Sequence, residues 1–327
     1  MLWGCSVSDL AAKFAFFPPH PPTYGIRNDE ACGGKLLVTG IPRDPSMDVL
    51  MVDNRRGNKI VAFYFRNPYA RLTVLYSHGN ATDLGQLYEL FAQLKVNLRV
   101  NLMGYDYSGY GASSGKPSEY NTYADIEAIY ECLQTEYGVN QEDLILYGQS
   151  LGSGPTLHLA ARLPRLRGVV LHSAILSGLR VLCHNVNKIK KVKCPVLVIH
   201  GTDDEVVNWH HGNKLWQLAR EPYDPLWIKG GTHCNLELYP DYIVHLSQFI
   251  KEMENVTTVQ RLKKLRRSIR RPGADIKSTT TFTANCCCSI RIQKPNCSNC
   301  CCSWNGFISL GCWKGSSYFC NCCGLNS

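Results

Sequence analysis

The stretch "DLILYGQSLGSGPTLHLAARL", residues 143–163, decides the fold. It begins with a short apolar run typical of a buried strand and ends with a run that has helical composition. Between them stands Gly148-Gln149-Ser150-Leu151-Gly152, a G-x-S-x-G match. Small residues two positions before and after a serine permit the sharp strand-to-helix turn that lifts its hydroxyl clear of a sheet. An ordinary glycine-rich turn is the alternative, but the flanking strand and helix favour a catalytic nucleophile at Ser150.

Segments on both sides repeat the alternation of strand and helix. "RLTVLYSHG" (71–79) predicts a buried strand, and "DLGQLYELFAQLK" (83–95) predicts a helix with Asp83 as its N-cap. Later apolar runs predict three more strands, "LRGVVLHSA", "CPVLVIHG" and "DPLWIKGG", with helices at about 207–220 and 240–253. Repeated βα units predict an α/β fold with a mostly parallel central sheet and helices on both faces.

Two segments before residue 70 also have strand-like composition. "MDVLMVDNRRGNKIVAFYFRNP" (47–68) has two strand-like runs around the turn "NRRGN" and predicts a hairpin. "KLLVTGIP" (35–42) is expected to form an edge strand.

A catalytic serine needs a base, and in this kind of sheet an acid and then a histidine follow the serine along the chain. The predicted strand "VLVIHG" is followed by Asp203, Asp204 and Glu205, and the next strand is followed by His233 in a glycine-rich loop. All lie where carboxyl ends of parallel strands form sites. The pattern favours His233 as the base, while spacing alone does not separate Asp203 from Asp204.

Acyl transfer also needs N–H donors for the oxyanion. The residue after the nucleophile, Leu151, is expected to supply one backbone N–H. The loop after the strand at 71–79 contains His78-Gly79-Asn80, and the Asn80 backbone N–H is expected to supply the other. His78 itself is interpreted as structural, because a similar His-Gly turn recurs at residues 200–201.

Charge and cysteine divide the chain into three parts. Residues 1–34 are interpreted as a leader that partly packs on the domain, residues 35–254 as the α/β domain, and residues 255–327 as a tail. Residues 1–254 carry 24 Lys and Arg against 25 Asp and Glu, whereas the tail carries 11 against 1 and holds 11 of the 17 cysteines. The tail's basic and then Cys-rich composition, poor in aliphatic residues, predicts disorder. Its basicity concerns the tail's partners and excludes nothing about the domain's substrate.

The clustered tail cysteines allow several interpretations. Zinc binding is disfavoured because the cysteines are adjacent and the tail has no histidine, and no metal or other cofactor is expected. Disulfides are disfavoured because no export signal precedes the domain. S-acylation beside a basic segment is favoured, and a low-complexity tail without a role remains the alternative. The candidate acylation sites are Cys286, Cys287, Cys288, Cys297, Cys300, Cys301 and Cys302.

No run approaches the roughly 18 to 20 apolar residues of a spanning helix. We therefore expect a peripheral protein on the cytosolic face of a membrane, at the plasma membrane or endosomes. Acylated cysteines and the seven basic residues between Arg261 and Arg271 would attach it. Nucleic acid is not an expected partner, and the oligomeric state is not predicted.

The strings "AAKFAFFPPHPPTY", "LYSHGNATDLGQ", "YDYSGYGASSGKPSE", "LYGQSLGSGPT", "PVLVIHGTDDEVV" and "REPYDPLWIKGGTHCNLELYPDYI" resemble the alpha/beta-hydrolase-domain 17 family of protein depalmitoylases. The similarity runs from about residue 11 to residue 254. It implies an alpha/beta-hydrolase fold with catalytic Ser150, Asp204 and His233. It also implies a substrate class, long-chain acyl thioesters on cysteines of membrane-associated proteins.

Two features depart from the family pattern. The N-terminal region has only Cys5, whereas animal members carry a cysteine cluster there, and residues 183–194 are short where the family carries an aromatic-rich insert. Two alternatives to a depalmitoylase therefore stay open. One is a serine esterase or peptidase of the same fold with small substrates, and the other is a non-catalytic membrane scaffold.

Overall fold

A computed structural model describes residues 16–29, 35–177 and 184–256. Its strands are β1 Gly25–Asp29, β2 Lys35–Thr39, β3 Met47–Asp53, β4 Lys59–Phe65, β5 Thr73–Ser77, β6 Asn101–Tyr105, β7 Leu144–Gln149, β8 Gly168–His172, β9 Val196–Gly201 and β10 Leu226–Ile228. Eight of these strands form the central sheet in the order β10-β9-β8-β7-β5-β6-β4-β3. Every neighbouring pair from β10 to β6 is parallel, and β4 runs antiparallel to both β6 and β3. The predicted alpha/beta-hydrolase class, with a mostly parallel sheet, is therefore confirmed.

Helices cover both faces of this sheet, as the βα pattern predicts. Alternate residues of a strand enter different cores: Leu146 of β7 lies in one cluster, and Ile145 and Tyr147 lie in the other. The helices are α1 Leu84–Leu98, α2 Glu119–Thr135, α3 Ser153–Ala160, α4 Asn185–Ile189, α5 His210–Leu218 and α6 Pro240–Asn255. Helices α2 to α5 contribute to the first cluster, and α1 and α6 contribute to the second.

Local sequence signals account for several boundaries. The Asp83 side chain accepts a hydrogen bond from the Gln86 backbone N–H, so it caps α1 as predicted. The hairpin at 47–68 forms with Asp53 opposite Lys59 across the turn. Helix α2 begins at Glu119, because Ser118 accepts from the Asn121 N–H at 3.2 Å and caps it.

The strand expected at the edge of the sheet lies elsewhere. Residues Lys35–Thr39 pair with Gly25–Asp29 in a separate antiparallel ribbon, with Ile26 opposite Val38. Both of these side chains are partly buried against the core that contains α1. The sequence did not show this pairing, because the partner strand is a short run within the Pro- and Gly-rich leader.

Asp125 on α2 connects three elements that surround the sheet's carboxyl edge. Its carboxylate accepts from Asn54 Nδ2 at 2.5 Å in the hairpin turn, and from the Ser108 N–H and hydroxyl at 2.8 Å in the loop after β6. Burial is the main reason that the pKa of Asp125 is raised to about 6. Folding therefore favours the neutral form of Asp125 relative to the unfolded chain.

Replacing Asp125 should change how stability depends on pH. The pKa of Asp125 is higher in the folded state than in the unfolded state. The stabilisation that protonated Asp125 gives the fold is therefore present below about pH 4 and is lost as the pH rises through about 6. Asp125→Asn cannot ionise. The free energy of unfolding of the wild type minus that of the variant should therefore fall by up to about 3 kcal/mol between pH 4 and 7. Urea unfolding of both proteins at both pH values measures this difference. The contributions of the other carboxyl groups are the same in both proteins and cancel in it. A difference that is independent of pH would contradict the assignment.

Candidate active site

Ser150 lies at the sharp turn between β7 and α3. It follows the last residue of β7 and begins a short 3₁₀ turn that leads into α3. Its φ angle is +49°, a left-handed conformation that is uncommon for a residue with a side chain. Such strain at a serine between a strand and a helix is the geometry expected of a nucleophile elbow.

The flanking glycines are required by close backbone contacts. A Cβ on Gly152 would overlap the carbonyl group of Ser77 at the end of β5. A Cβ on Gly148 would lie 2.7 Å from Thr156 Oγ1 and 2.8 Å from the Gly152 carbonyl oxygen. The motif therefore has the mechanical basis that the sequence suggested, and the elbow is packed directly against the end of β5.

The structure brings Ser150, His233 and Asp204 together from three different strand ends. His233 Nε2 lies 3.0 Å from Ser150 Oγ, and His233 Nδ1 lies 2.8 Å from Asp204 Oδ2. Because a carboxylate only accepts, Nδ1 carries the proton in this contact, which leaves Nε2 able to accept the serine proton. This order of contacts is that of a Ser–His–Asp triad.

Asp204, rather than Asp203, faces the histidine. The Asp204 carboxylate is fully buried, and its Oδ1 accepts from the backbone N–H groups of Val206 at 3.0 Å and Val207 at 2.7 Å. Asp203 is exposed and accepts from the hydroxyl of Thr202. The choice that spacing left open is thus made by backbone geometry after β9.

A second histidine, His200, lies against the same carboxylate. Its Nε2 is 3.2 Å from Asp204 Oδ2 and 2.8 Å from the Val207 carbonyl oxygen. Because the carbonyl oxygen can only accept, Nε2 carries a proton and donates to it. Burial lowers the pKa of His200, so the neutral ring is favoured. The sequence pattern did not indicate that His200 lies at the site, although its position four residues before Asp204 at a strand end was a signal.

The loop after β5 adjoins the elbow. A Cβ on Gly79 would lie 3.8 Å from Ser150 Cβ, so the backbone just before Asn80 lies against Ser150. Asn80 itself is half-buried, and Leu151, which follows Ser150, is buried. The two predicted oxyanion donors therefore belong to segments that meet at Ser150. The Tyr107 hydroxyl donates to the His78 carbonyl oxygen at 2.7 Å and fixes the start of this loop.

Other predicted features lie wholly or partly outside the described residues. All seven candidate acylation cysteines belong to residues 257–327, which the structure does not describe. The short segment 183–194 is described from residue 184, where α4 begins after His184. Among the described helices, none is both long enough and apolar enough to cross a membrane.

A family model described as "Serine aminopeptidase, S33" matches residues 68–182, which include the elbow but neither Asp204 nor His233. Among solved structures, a DcsB complex with a substrate analogue superposes with a TM-score of 0.55 at 16% identity, covering 63% of this chain and 99% of that one. An esterase of Pyrococcus furiosus, Pf2001, gives a TM-score of 0.54 at 14% identity, covering 63% and 90%. At these identities the similarity concerns the fold alone.

Curated relatives are much more similar. The human alpha/beta hydrolase domain-containing protein 17B is 41% identical over 264 residues, covering 74% of this chain and 91% of its own length. The 17C protein of Xenopus tropicalis is 42% identical over 279 residues, covering 74% and 89%. The aho-3 protein of Caenorhabditis elegans is 41% identical over 264 residues, covering 74% and 78%. With these similarities over most of its length, the chain belongs to the alpha/beta hydrolase domain-containing protein 17 family.

Proposed function

We propose that this family member is a serine hydrolase that removes long-chain acyl groups from S-acylated cysteines of membrane-associated proteins. The observation that carries the hydrolase mechanism is the chain of contacts from Ser150 Oγ through His233 to Asp204, at 3.0 and 2.8 Å. It supplies a nucleophile, a base and a group that orients the base.

Acylation of the serine is the first step. Ser150 Oγ attacks the thioester carbonyl carbon while His233 Nε2 takes the hydroxyl proton, and Asp204 stabilises the resulting imidazolium. The backbone N–H groups of Leu151 and Asn80 would stabilise the oxyanion. The C–S bond then breaks, the acyl group stays on Ser150, and the cysteine sulfur leaves as a thiol with the proton that His233 returns.

Deacylation repeats the chemistry with water. His233 takes a proton from water, the hydroxide attacks the acyl-serine carbonyl carbon, and the same donors hold the second oxyanion. The C–O bond to Ser150 breaks, and the serine oxygen recovers its proton from His233. The products are a free thiol, a fatty acid and the original enzyme, so no cofactor enters the balance.

The thioester specificity is supported by the family resemblance and by leaving-group chemistry. A cysteine thiol has a pKa of about 8.5, so its thiolate leaves with little acid assistance, whereas an amine must be protonated as an amide bond breaks. A triad of this geometry serves both reactions. The matched "Serine aminopeptidase" family model favours amide cleavage as a second candidate function.

We also propose that the tail attaches the enzyme to the membrane that holds its substrates. One acyl chain gives marginal, reversible binding, and a second chain or a basic patch makes attachment stable. The chain offers several cysteines from Cys286 to Cys302 and seven basic residues from Arg261 to Arg271. Each basic residue near an anionic leaflet contributes about 1 kcal/mol.

Removing the nucleophile or its orienting acid should abolish turnover. Ser150→Ala is expected to lower kcat on a palmitoyl-cysteine peptide by at least about 10⁴-fold, and Asp204→Asn by a similar factor. Asp203→Asn is the matched control, because Asp203 is exposed and lies one residue away. It should keep wild-type kcat. Equal labelling of wild type and Ser150→Ala by a fluorophosphonate probe would rule out the serine mechanism.

Turnover of matched acyl substrates should identify the reaction class. A peptide carrying palmitate on a cysteine sulfur is expected to give a higher kcat/KM than the same peptide carrying it as an amide on lysine, because the thiolate is the better leaving group. The measurement compares fatty-acid release from both peptides under the same conditions. Faster hydrolysis of the peptide with the lysine amide than of the peptide with the cysteine thioester would instead support the second candidate function.

Loss of the tail cysteines should release the protein from membranes. Hydroxylamine-sensitive acyl exchange is expected to report several modified thiols in the full chain and none after all seven candidate cysteines are changed to serine. The variant should move to the soluble fraction in the cell. Cys132 and Cys194 are buried thiols that remain as internal controls. A wild type that is soluble and unmodified would contradict the attachment proposal.

A further inference from the structure

The start of the described chain binds the loop that carries a predicted oxyanion donor. Residues 16–24, here called the N-terminal clamp, contact residues 78–84 directly at Asn80 and Asp83. They contact the same loop at a third point through Asp106, which binds both Tyr24 and Leu84. From the sequence, these residues belong to a leader for which no part in the site is predicted.

The first point of contact fixes the side chain of Asn80. The Phe17 backbone N–H donates to Asn80 Oδ1 at 2.9 Å, and the Tyr110 hydroxyl donates to the same oxygen at 2.7 Å. The side chain of Phe16 is buried in the core, whereas that of Phe17 is 53% exposed. The clamp therefore holds Asn80 through a backbone group of Phe17 rather than through its ring.

The second point of contact lies at the start of α1. The Thr23 N–H donates to Asp83 Oδ2 at 2.8 Å, and the Thr23 hydroxyl donates to Asp83 Oδ1. Asp83 is fully buried and is also the N-cap of the helix. A Cβ on Gly85 would overlap Thr23 Oγ1, so the glycine permits this contact. One carboxylate thus joins the clamp to the end of the loop.

The third point of contact is a buried carboxylate, Asp106, in the loop after β6. It accepts from the Tyr24 hydroxyl at 2.5 Å and from the Leu84 N–H at 3.2 Å, and His78 Nε2 lies 3.2 Å away. His78 Nδ1 faces the Gly79 carbonyl oxygen at 2.7 Å and must donate to it. Asp106 therefore holds both ends of the loop, residues 78 and 84, against Tyr24.

These contacts distinguish positioning from simple attachment. A segment that only stabilised the fold could bind any part of the surface. The three contacts of the N-terminal clamp instead all bear, directly or through Asp106, on the seven residues that follow β5. Gly79 lies against Ser150 within this segment. A small shift of the loop would move the Asn80 N–H relative to the developing oxyanion, and a misplacement of about 1 Å can cost on the order of 100-fold in rate.

We propose that the N-terminal clamp positions the oxyanion donor of Asn80, and that Phe17, Thr23 and Tyr24 are positioning residues of the active site. The inference rests on the proposed serine-hydrolase function. It implies that the catalytic unit includes residues 16–24 as well as the α/β domain. Weakening the clamp lowers transition-state stabilisation while ground-state binding of the acyl group changes little.

A pair of substitutions at Phe17 isolates the hydrogen bond. Phe17→Pro removes the N–H that Asn80 accepts, and Phe17→Ala keeps it while removing the exposed ring. In the full chain, kcat is measured per active site titrated with a fluorophosphonate, so that any unfolded fraction drops out. The expected result is a kcat about 10- to 100-fold lower for Phe17→Pro, with KM within about twofold and Phe17→Ala close to wild type.

Tyr24→Phe gives an independent variant. It removes only the hydroxyl that donates to Asp106, and Tyr69→Phe is its control because Tyr69 is 81% exposed. A trifluoromethyl ketone that forms an oxyanion with Ser150 should lose affinity in Phe17→Pro and Tyr24→Phe by about the factor lost in kcat/KM. A role limited to stability would leave this affinity unchanged.

The outcomes separate the two proposals. Wild-type kcat per titrated site in both Phe17→Pro and Tyr24→Phe would overturn the clamp and leave the serine hydrolase intact. Equal losses in Phe17→Pro and Phe17→Ala, with Tyr24→Phe unaffected, would also overturn it. A wild type that neither turns over acyl substrates nor labels at Ser150 would overturn the proposed function and the clamp with it.

Discussion

The contact between the backbone at Gly152 and the end of β5 is the constraint on which the site depends. The absence of a side chain at Gly152 lets the first turn after β7 press against the carbonyl of Ser77. This close approach places Ser150 beside the loop that follows β5. With an alanine at 152 the two strand ends would have to separate, and Ser150 and the predicted oxyanion donor would move apart even if each kept its own conformation.

Buried charge is the second constraint. Asp204 and Asp106 are both fully buried carboxylates, and a carboxylate in the interior is tolerated only with donors around it. Asp204 has two backbone N–H groups and contacts from two histidines, but only His233 also reaches Ser150. Burial raises the pKa of Asp106, whose carboxyl lies 3.2 Å from His78 Nε2. Asp204 thus supports the Ser150–His233 part of the site, and Asp106 supports the loop after β5.

The sequence predicted those parts of the molecule that local chemistry determines. The order of strands and helices, the cap at Asp83 and the elbow glycines each depend on residues a few positions apart. The choice of Asp204 over Asp203 needed either the family resemblance or the structure, because both follow the same strand. The roles of Thr23 and Tyr24 could not be predicted, since their partners Asp83 and Asp106 lie 60 and 82 residues away and no periodicity connects them.

The two halves of the site therefore have different physical supports. Ser150, Asp204 and His233 follow parallel strands of the central sheet, and contacts among their own side chains hold them together. The loop after β5 has the same origin at Ser77, but its course from residue 78 to 84 is set by hydrogen bonds to a segment outside the sheet. An intact triad is then compatible with a displaced oxyanion donor. Phe16 and Tyr24 of this segment belong to the two cores, so changes there would affect stability as well as the loop. Loss of the N–H of Phe17, whose ring is exposed, would act on the loop through Asn80.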